Sequence, residues 1–356
     1  MRAIKFFIRA GIAFLWVVIF MSLLYSSQLY EFFRSQKSIT IAAWGDVFDP
    51  VLLAEFQKKT GIKINLSYYS SNEELLVKLK KTGGKGFDLI VPSDYAVQLL
   101  QDQQLLKKIN RSKLNFFPDL NPILLGHDFD PHNEYSIPWL WEIFGVGVDA
   151  KMFADTQKRD PWKLIFSNPL NTYSITMVND PLEMIMLASL YLFDNAHKLD
   201  SQQLVAVQEL LRKQKTYVKA YVDFRADYFL ATRNCAAVVS SSSYILRAQR
   251  KFPHIAFLVP EKTFVTIENC ALSVATKEEE KVYELLNFLY QPKNVLSHCE
   301  QFALFPGTLS ALRLLADNSQ QKKLASMSMQ RFSQLLFFKK QIDQIDLIKI
   351  WALVKS

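Results

Sequence analysis

The segment from Ser38 to Ser93 constrains the fold more than any other part of the chain, because short strands and helices alternate in it. The three candidate strands are Ile39–Trp44, Ile62–Leu66 and Phe87–Ser93, with helical patterns between them. Strands that alternate with helices predict a parallel sheet, and a parallel sheet binds ligands beyond the carboxyl ends of its strands.

Four side chains with binding chemistry lie at these strand ends: Trp44, Asp46, Ser93 and Tyr95. An apolar plate beside a carboxylate can hold an alkyl chain that carries ammonium groups, because the ring covers the methylenes while the acid pairs with the charge. This end of the sheet is therefore predicted to bind a small organic cation.

Length and composition fit two globular domains. The chain has 356 residues, half of them apolar and 21% charged, which is enough for two cores and argues against disorder. Its net charge of +8 is spread over scattered Lys and Arg residues that accompany no nucleic-acid motif. We therefore predict solvated helix faces and no nucleic-acid partner.

The first 27 residues resemble an export segment. Arg2, Lys5 and Arg9 precede an apolar run from Ala10 to Tyr25. That run is shorter than the roughly 20 residues of a membrane span, and no Ala-x-Ala cleavage site follows it. Residues 1–27 are predicted to be a signal peptide or an uncleaved signal anchor, and either outcome puts residues from about 30 onward outside the cytoplasm.

The chain shows no pattern of an enzyme or a metal site. Cys235, Cys270 and Cys299 are an odd number with no CxxC pair, so the sequence allows either one disulfide or three buried thiols. The five histidines lack ligand spacing, and no Gly-x-Ser-x-Gly elbow is present. We expect a non-enzymatic protein without a metal or another cofactor.

Beyond the first unit, the pattern predicts a crossing, a second α/β unit and a return. Gly145–Asp149 is a glycine-punctuated strand suited to a crossing, and strands are expected near Ser174–Val178 and Ala236–Val239. A helix is predicted over Ser201–Val218. A further strand is expected to begin at Ala271, and helices should fill most of the chain from Ser319 onward.

Several phrases, in this order and spacing, resemble the extracytoplasmic solute-binding component of an ABC importer, most closely the spermidine/putrescine-binding type. They are Trp44-Gly45-Asp46, Glu55–Lys63, Ser70–Glu73, Phe87–Tyr95, Asp130–Trp139, Asp180–Glu183 and Leu285–Tyr290. The resemblance implies a type II periplasmic binding protein fold, in which two α/β lobes close on a ligand in the cleft between them. It divides the chain into a first lobe, 38–143 plus about 266–315, and a second lobe, 147–262 plus about 319–356.

Carried over by position, the resemblance assigns roles to seven residues. Trp44 would be the wall for a methylene chain, Asp46 a first-lobe acid, and Ser93 and Tyr95 polar contacts. The second lobe and the return strand would add three acids: Asp180, Glu183 and Glu268.

Most of these residues also admit a structural interpretation. Asp180 followed by Pro181 and Glu183 is a normal helix start, in which the Asp is the N-cap. Asp46 could be a turn residue, Trp44 a core residue, and Glu268 an exposed loop acid. Trp139 and Trp141 are expected to pack in the interior, and Tyr68 and Tyr69 to point to opposite faces of a strand.

The chain departs from polyamine binders at its aromatic positions. Val47, Ser240, Thr266 and Phe305 stand where that type carries tyrosine or tryptophan. The acids are kept, so the predicted function is capture of a polyamine, spermidine or putrescine, and its delivery to an inner-membrane permease by a monomeric periplasmic protein. The alternatives are another small cation, such as a basic amino acid or a diamine, and a membrane-anchored scaffold without a transport role.

Overall fold

The structure is a computed structural model that describes residues 11, 14–16, 18–21, 37–153, 160–168, 172–194, 198–222, 225–339 and 342–355. Most of the predicted export segment, residues 1–27, lies outside these ranges. Within them, no helix combines the length and the apolarity needed to cross a membrane.

Strands and helices alternate along the first two thirds of the described chain. The strands are β1 Ser38–Ala43, β2 Lys63–Tyr68, β3 Leu89–Ile90, β4 Leu106–Lys107, β5 Ile137–Asp149, β6 Ile175–Val178, β7 Val218–Val222, β8 Ala237–Ser241, β9 Ile255–Leu258, β10 Phe264–Ser273, β11 Phe305–Pro306 and β12 Leu336–Phe337. The helices up to β9 are α1 Pro50–Thr60, α2 Asn72–Thr82, α3 Asp94–Asp102, α4 Pro161–Phe166, α5 Pro181–Phe193, α6 Ser201–Gln214, α7 Asp227–Ala231 and α8 Ser242–Gln249.

The last third is mainly helical. Its helices are α9 Glu279–Leu289, α10 Pro292–Phe302, α11 Leu309–Leu314, α12 Gln320–Ala325, α13 Met329–Phe332 and α14 Gln344–Lys355. Short 3₁₀ turns lie at Arg111–Lys113, Phe117–Asp119, Pro122–Leu124 and Lys215–Tyr217.

Two long strands connect two sheets. In the first sheet β1 pairs in parallel with β2 and β3, and β10 pairs antiparallel with β3 and β4. In the second sheet β6 lies parallel to β7 and β8, while β5 is antiparallel to β8 and β9. The strands β5 and β10 also pair with each other, so both run from one sheet to the other. This topology confirms the predicted two-lobed α/β fold of type II.

A third crossing follows β12, which pairs in parallel with the start of β10. Ala325, Phe332 and Leu335 pack in the first hydrophobic core, whereas Phe338 and Ile350 pack in the second. The lobe boundaries stay a prediction. This packing favours a return to the second lobe at β12, later than residue 319.

The crossing strand β5 carries the largest buried side chains. Trp139 and Trp141 are both fully buried; the ring of Trp139 lies 4.6 Å from that of Tyr290, and the ring of Trp141 lies 4.7 Å from that of Phe305. Aromatic pairs of this kind stabilise beyond the area that they bury. The expectation that these tryptophans are packing residues is confirmed.

Local residues cap the first two helices. Asp49 accepts a hydrogen bond from Val51 N at 2.9 Å ahead of Pro50, and α1 ends at Gly61, whose φ of 71° suits glycine. Ser71 accepts from Glu74 N at 3.1 Å, but the Glu74 carboxylate accepts from Ser70 N, one residue earlier than a capping box requires.

Three predicted elements differ in the structure. The helix predicted over Ser201–Val218 ends at Gln214, because the β-branched and aromatic residues of β7 pair with β6. The strand predicted to begin at Ala271 begins at Phe264. The helical stretch predicted from Ser319 is interrupted by β12.

The three cysteines are free and buried, as one of the two sequence interpretations expected. Burial raises the pKa of Cys235 to about 11 and that of Cys270 to about 12. Since the thiolate is the reactive form, these thiols are inert core groups.

Candidate functional site

Glu268 lies at the centre of the candidate site, on β10 where this strand crosses between the sheets. Glu268 forms an isolated antiparallel β-bridge with Ser93, and only 7% of the surface of Glu268 is exposed. Burial raises the pKa of the Glu268 carboxyl well above its usual range, and the nearby acids Glu142 and Asp94 raise it further. The interpretation of Glu268 as an exposed loop acid is wrong, because β10 begins four residues earlier.

Glu142 is a second acid in the interior, half-buried, which the sequence analysis missed. On β5 it lies opposite Thr266, and Leu140 lies opposite Glu268. Glu142 and Glu268 are therefore diagonal neighbours on one face of the strand pair, a spacing of about 7–8 Å between their backbones. Burial raises the pKa of Glu142, while hydrogen bonds from Ser243 and Ser241 and the charge of Arg247 offset part of this.

Asp94 completes this group, which we call the acidic cluster (Asp94, Glu142, Glu268). It begins α3, is 2% exposed, and its Oδ2 has no hydrogen-bond partner in the described part of the chain. Burial raises the pKa of Asp94 to about 8, although backbone N–H groups donate to it. In the described part of the chain, two of these three carboxyl groups, Asp94 and Glu268, have a buried oxygen without a hydrogen-bond partner, and a bound cation would supply one.

An aromatic wall flanks the acidic cluster. The Trp44 ring packs on Tyr69, with ring centroids 4.5 Å apart, and the Tyr69 hydroxyl donates to Val91 O at 2.6 Å. The Trp44 indole lies near enough to Glu268 to lower the pKa of that carboxyl slightly. Yet Trp44 Nε1 and Glu268 Oε2 are both buried without a hydrogen-bond partner in the residues described. The Trp44 ring thus places a flat apolar surface next to the Glu268 carboxylate.

Ser93 is held in place by the first lobe. It is 4% exposed and its Oγ donates to Asn72 Oδ1 at 3.0 Å, at the start of α2. Ser93 therefore lies beside Glu268 through the β-bridge, with its hydroxyl directed to Asn72.

Asp46 is paired with a cation of the chain itself. Its Oδ2 lies 3.1 Å from Nη1 of Arg247, which belongs to α8 in the second sheet's half of the molecule. The Arg247 guanidinium also lies 5.0 Å from the centre of the Tyr244 ring. Asp46 is thus a salt-bridge acid between the two halves in this structure, a role that the sequence did not suggest.

Tyr95 and Asp180 lie close enough for the Asp180 charge to act on the Tyr95 hydroxyl. Tyr95, in the first turn of α3, packs against the second hydrophobic core. Burial raises the pKa of the Tyr95 hydroxyl, and the charges of Glu73 and Asp180 raise it further. Asp180 is also the N-cap of α5, since its Oδ1 accepts from Glu183 N at 2.9 Å. The structural interpretation of Asp180 as an N-cap is therefore confirmed, and it leaves a binding role open.

The seven predicted residues thus fall into three neighbouring groups. Trp44 and Ser93 gather around Glu268, Asp180 and Glu183 open one helix opposite Tyr95, and Asp46 meets Arg247. In the residues that the structure describes, no group of three His, Cys, Asp or Glu side chains could hold a metal ion.

The substituted aromatic positions have become core or strand residues. Val47 and Phe305 are buried, and Thr266 lies in β10 opposite Glu142. Glu142 could have been found from the sequence, since it is the one charged residue in the apolar run Ile137–Val148. A charge in such a run signals either a paired or a ligand-binding group.

Three comparisons with known proteins bear on this site. The sequence profile of the family described as bacterial extracellular solute-binding protein matches residues 52–326. The spermidine/putrescine-binding periplasmic protein of Salmonella typhimurium is 30% identical over 278 residues, 77% of this chain and 78% of that protein. The putrescine-binding periplasmic protein PotF of Escherichia coli is 25% identical over 289 residues, 76% of this chain and 77% of that protein.

The fold is shared with solved binding proteins. The substrate-binding protein PotD of a spermidine/putrescine ABC transporter from Streptococcus pneumoniae superposes with a TM-score of 0.77 at 25% identity, covering 90% of this chain and 100% of that one. A putative spermidine/putrescine ABC transporter protein from Listeria monocytogenes gives a TM-score of 0.78 at 25% identity, covering 90% and 98%.

Proposed function

Because this chain belongs to the bacterial extracellular solute-binding proteins, we propose that it captures a small polyamine outside the cytoplasm and delivers it to an ABC permease. The relatives named above carry spermidine or putrescine in their names, and several are named as periplasmic. Residues 1–27 would direct export, and an uncleaved segment would keep the protein at the inner membrane.

The acidic cluster beside Trp44 is the observation that carries this proposal. A polyamine is a flexible apolar chain with two or more ammonium groups, so its site needs carboxylates separated by flat apolar surface. Glu268 and Glu142 supply the carboxylates from the crossing strands, and Trp44 supplies the surface. An ammonium group between these acids gives them a shared counter-charge, which lowers the cost of an unpaired buried charge.

The remaining predicted residues complete the proposed site. Asp180 and Glu183 would hold the far ammonium group from the second lobe, with Tyr95 and Ser93 as polar neighbours. Closure of the lobes on the ligand would present both surfaces to the permease. We propose that the protein acts as a monomer without a cofactor and catalyses no reaction; the last point is supported by its family, which is one of solute-binding proteins.

The alternative of a basic amino acid is less well supported. Its carboxylate would have to enter a region that already contains Glu142, Glu268 and Asp94, whereas Asp46 is already paired with Arg247. Like charges in a water-poor site repel strongly. A scaffold without a ligand would have no use for two buried acids, Asp94 and Glu268, that raise the cost of folding.

A thermal-shift titration tests the proposal. The purified protein is titrated with putrescine, spermidine and lysine, alongside Glu268→Gln and the control Glu284→Gln, which alters an exposed acid on α9. A polyamine at about a hundred times its Kd should add about 2.7 kcal/mol to the free energy of unfolding. We expect this rise in wild type and in Glu284→Gln and its loss in Glu268→Gln. No shift with either polyamine would refute the proposed function.

A further inference from the structure

We propose that Arg247 is a specificity-determining residue, a cation built into the binding site that makes it prefer a diamine to a triamine. This inference rests on the proposed function, because it concerns the ligand of the same site. It departs from the expectation that Asp46 pairs with the ligand, since Asp46 already has a positively charged partner.

Arg247 reaches from one half of the molecule to the other. It projects from α8, which follows β8 in the second sheet, and its Nη1 lies 3.1 Å from Oδ2 of Asp46, beyond the end of β1 in the first sheet. Its side chain is 28% exposed, and its guanidinium stacks over Tyr244 at 5.0 Å. Arg250, one turn further along, donates to the carbonyl of Glu300 at the end of α10, so α8 touches the first half at two points.

Acidic groups outnumber basic ones around this guanidinium. Burial raises the pKa values of Glu142 and Asp227, and in both cases the charge of Arg247 pulls the pKa back down. Asp46 and Tyr244 also lie near this guanidinium. Arg225 and Arg250 are the other cations whose charges act on this group of residues. Arginine keeps its charge at every physiological pH, so this positive charge is permanent.

The guanidinium thus holds the place that an ammonium group of the ligand would take. Its planar fork pairs with a carboxylate and its face packs on an aromatic ring, which is also how a polyamine nitrogen would be bound. A diamine can use the acidic cluster and the Asp180 end of the site without disturbing this pair.

A triamine has one ammonium group more. That group must either displace Arg247 from Asp46, whose side chain is 54% exposed, or lie beside the more buried Arg247, where two positive charges a few ångströms apart repel each other. The permanent charge of Arg247 therefore acts against the longer, more highly charged ligand. This is specificity by an introduced repulsive element.

Calorimetric titration of the purified full chain with putrescine and spermidine tests this inference. The variants are Arg247→Gln, Arg247→Lys and the double variant Arg247→Gln/Asp46→Asn. The control Lys251→Gln removes a positive charge from an exposed position four residues away. Thermal midpoints of the unliganded variants check that each one folds.

We expect the dissociation constant of wild type for putrescine to be about tenfold or more lower than that for spermidine. Arg247→Gln should raise the affinity for spermidine about tenfold and change that for putrescine less than about threefold, because the third ammonium then pairs with Asp46. Arg247→Lys and Lys251→Gln should keep the wild-type preference. The double variant should lose the gain for spermidine, since Asp46 is no longer charged.

Three results overturn the inference, and the first two leave the proposed function intact. If wild type binds polyamines but Arg247→Gln leaves the ratio of the two affinities unchanged, or if wild type prefers spermidine, Arg247 does not set specificity and the proposed function stands. If neither wild type nor any variant binds either polyamine, the inference and the proposed function fail together.

Discussion

Replacing Glu268 with glutamine should have opposite effects on stability and on binding. The change keeps the shape of the side chain but removes a carboxyl group that is 7% exposed and whose pKa is raised well above its usual range by burial and by neighbouring acids. The unliganded protein should therefore gain stability at neutral pH, whereas the affinity for a polyamine should fall.

The size of the stability effect follows from proton linkage. Above the ordinary pKa of 4.5 the unfolded chain has lost the Glu268 proton, and the folded chain keeps it until its raised pKa is reached. In this window the folded state binds one proton more, so the free energy of unfolding decreases by about 1.4 kcal/mol for each pH unit. Glu268→Gln should remove the contribution of this carboxyl to the slope, while that of Asp94 remains. For binding, loss of one partner of a buried charge pair costs about 2–5 kcal/mol.

Urea unfolding at several pH values between about 5.5 and about 7.5 measures the slope, and calorimetry with putrescine measures the affinity. Glu284→Gln serves as the control in both assays, because this acid is exposed. The same pH slope in wild type and in Glu268→Gln would refute the argument that Glu268 is buried without a counter-charge. An unchanged affinity would refute its contact with the ligand.

Three further predictions address neighbouring residues. Asp94→Asn should stabilise the unliganded protein increasingly as the pH rises from about 4 towards 8, because the raised pKa of about 8 makes the wild-type fold lose stability over that range. Thermal midpoints at several pH values measure this effect. A difference from wild type that does not change with pH would contradict it. Asp180→Ala should lower the free energy of unfolding by about 1 kcal/mol through loss of the N-cap, whereas Asp180→Ser should keep the cap and still weaken polyamine binding; equal binding by Asp180→Ser and wild type in calorimetry would leave Asp180 with its capping role alone. Trp139→Ala should cost about 3–5 kcal/mol in urea unfolding, because a fully buried indole on β5 leaves a cavity, and a loss below about 1 kcal/mol would contradict its place in the core.

The order of strands and helices in the first lobe could be predicted from local signals in the sequence. Asp49-Pro50 and Gly61 mark the two ends of α1, and the structure reproduces both caps. The second lobe was harder to predict, because tertiary pairing decides its elements. The chain after Gln214 has a helical pattern up to Tyr217, yet Val218–Val222 gains more hydrogen bonds as a strand next to β6.

The candidate site could be predicted only where strand ends mark it. Trp44 and Ser93 follow short strands, and in the structure both lie beside Glu268. Glu142 stands out in the sequence as a charge in an apolar run, but its partners and those of Arg247 could not be assigned, because they depend on the register of β5 against β10 and on which helix faces Asp46. Contacts of this kind join residues more than a hundred positions apart, and no local pattern encodes them.

The acidic cluster links the function of the fold to its stability. Glu142 and Glu268 lie on β5 and β10, the two strands that run from one sheet to the other. The backbone that carries the acids is therefore shared by both lobes. Each raised pKa measures free energy that the unliganded fold lacks and that a bound cation can return. A variant that fills the cluster with neutral groups should therefore be more stable and unable to bind. A variant with a lysine at position 142 or 268 should mimic the liganded charge balance, as Arg247 already does for Asp46.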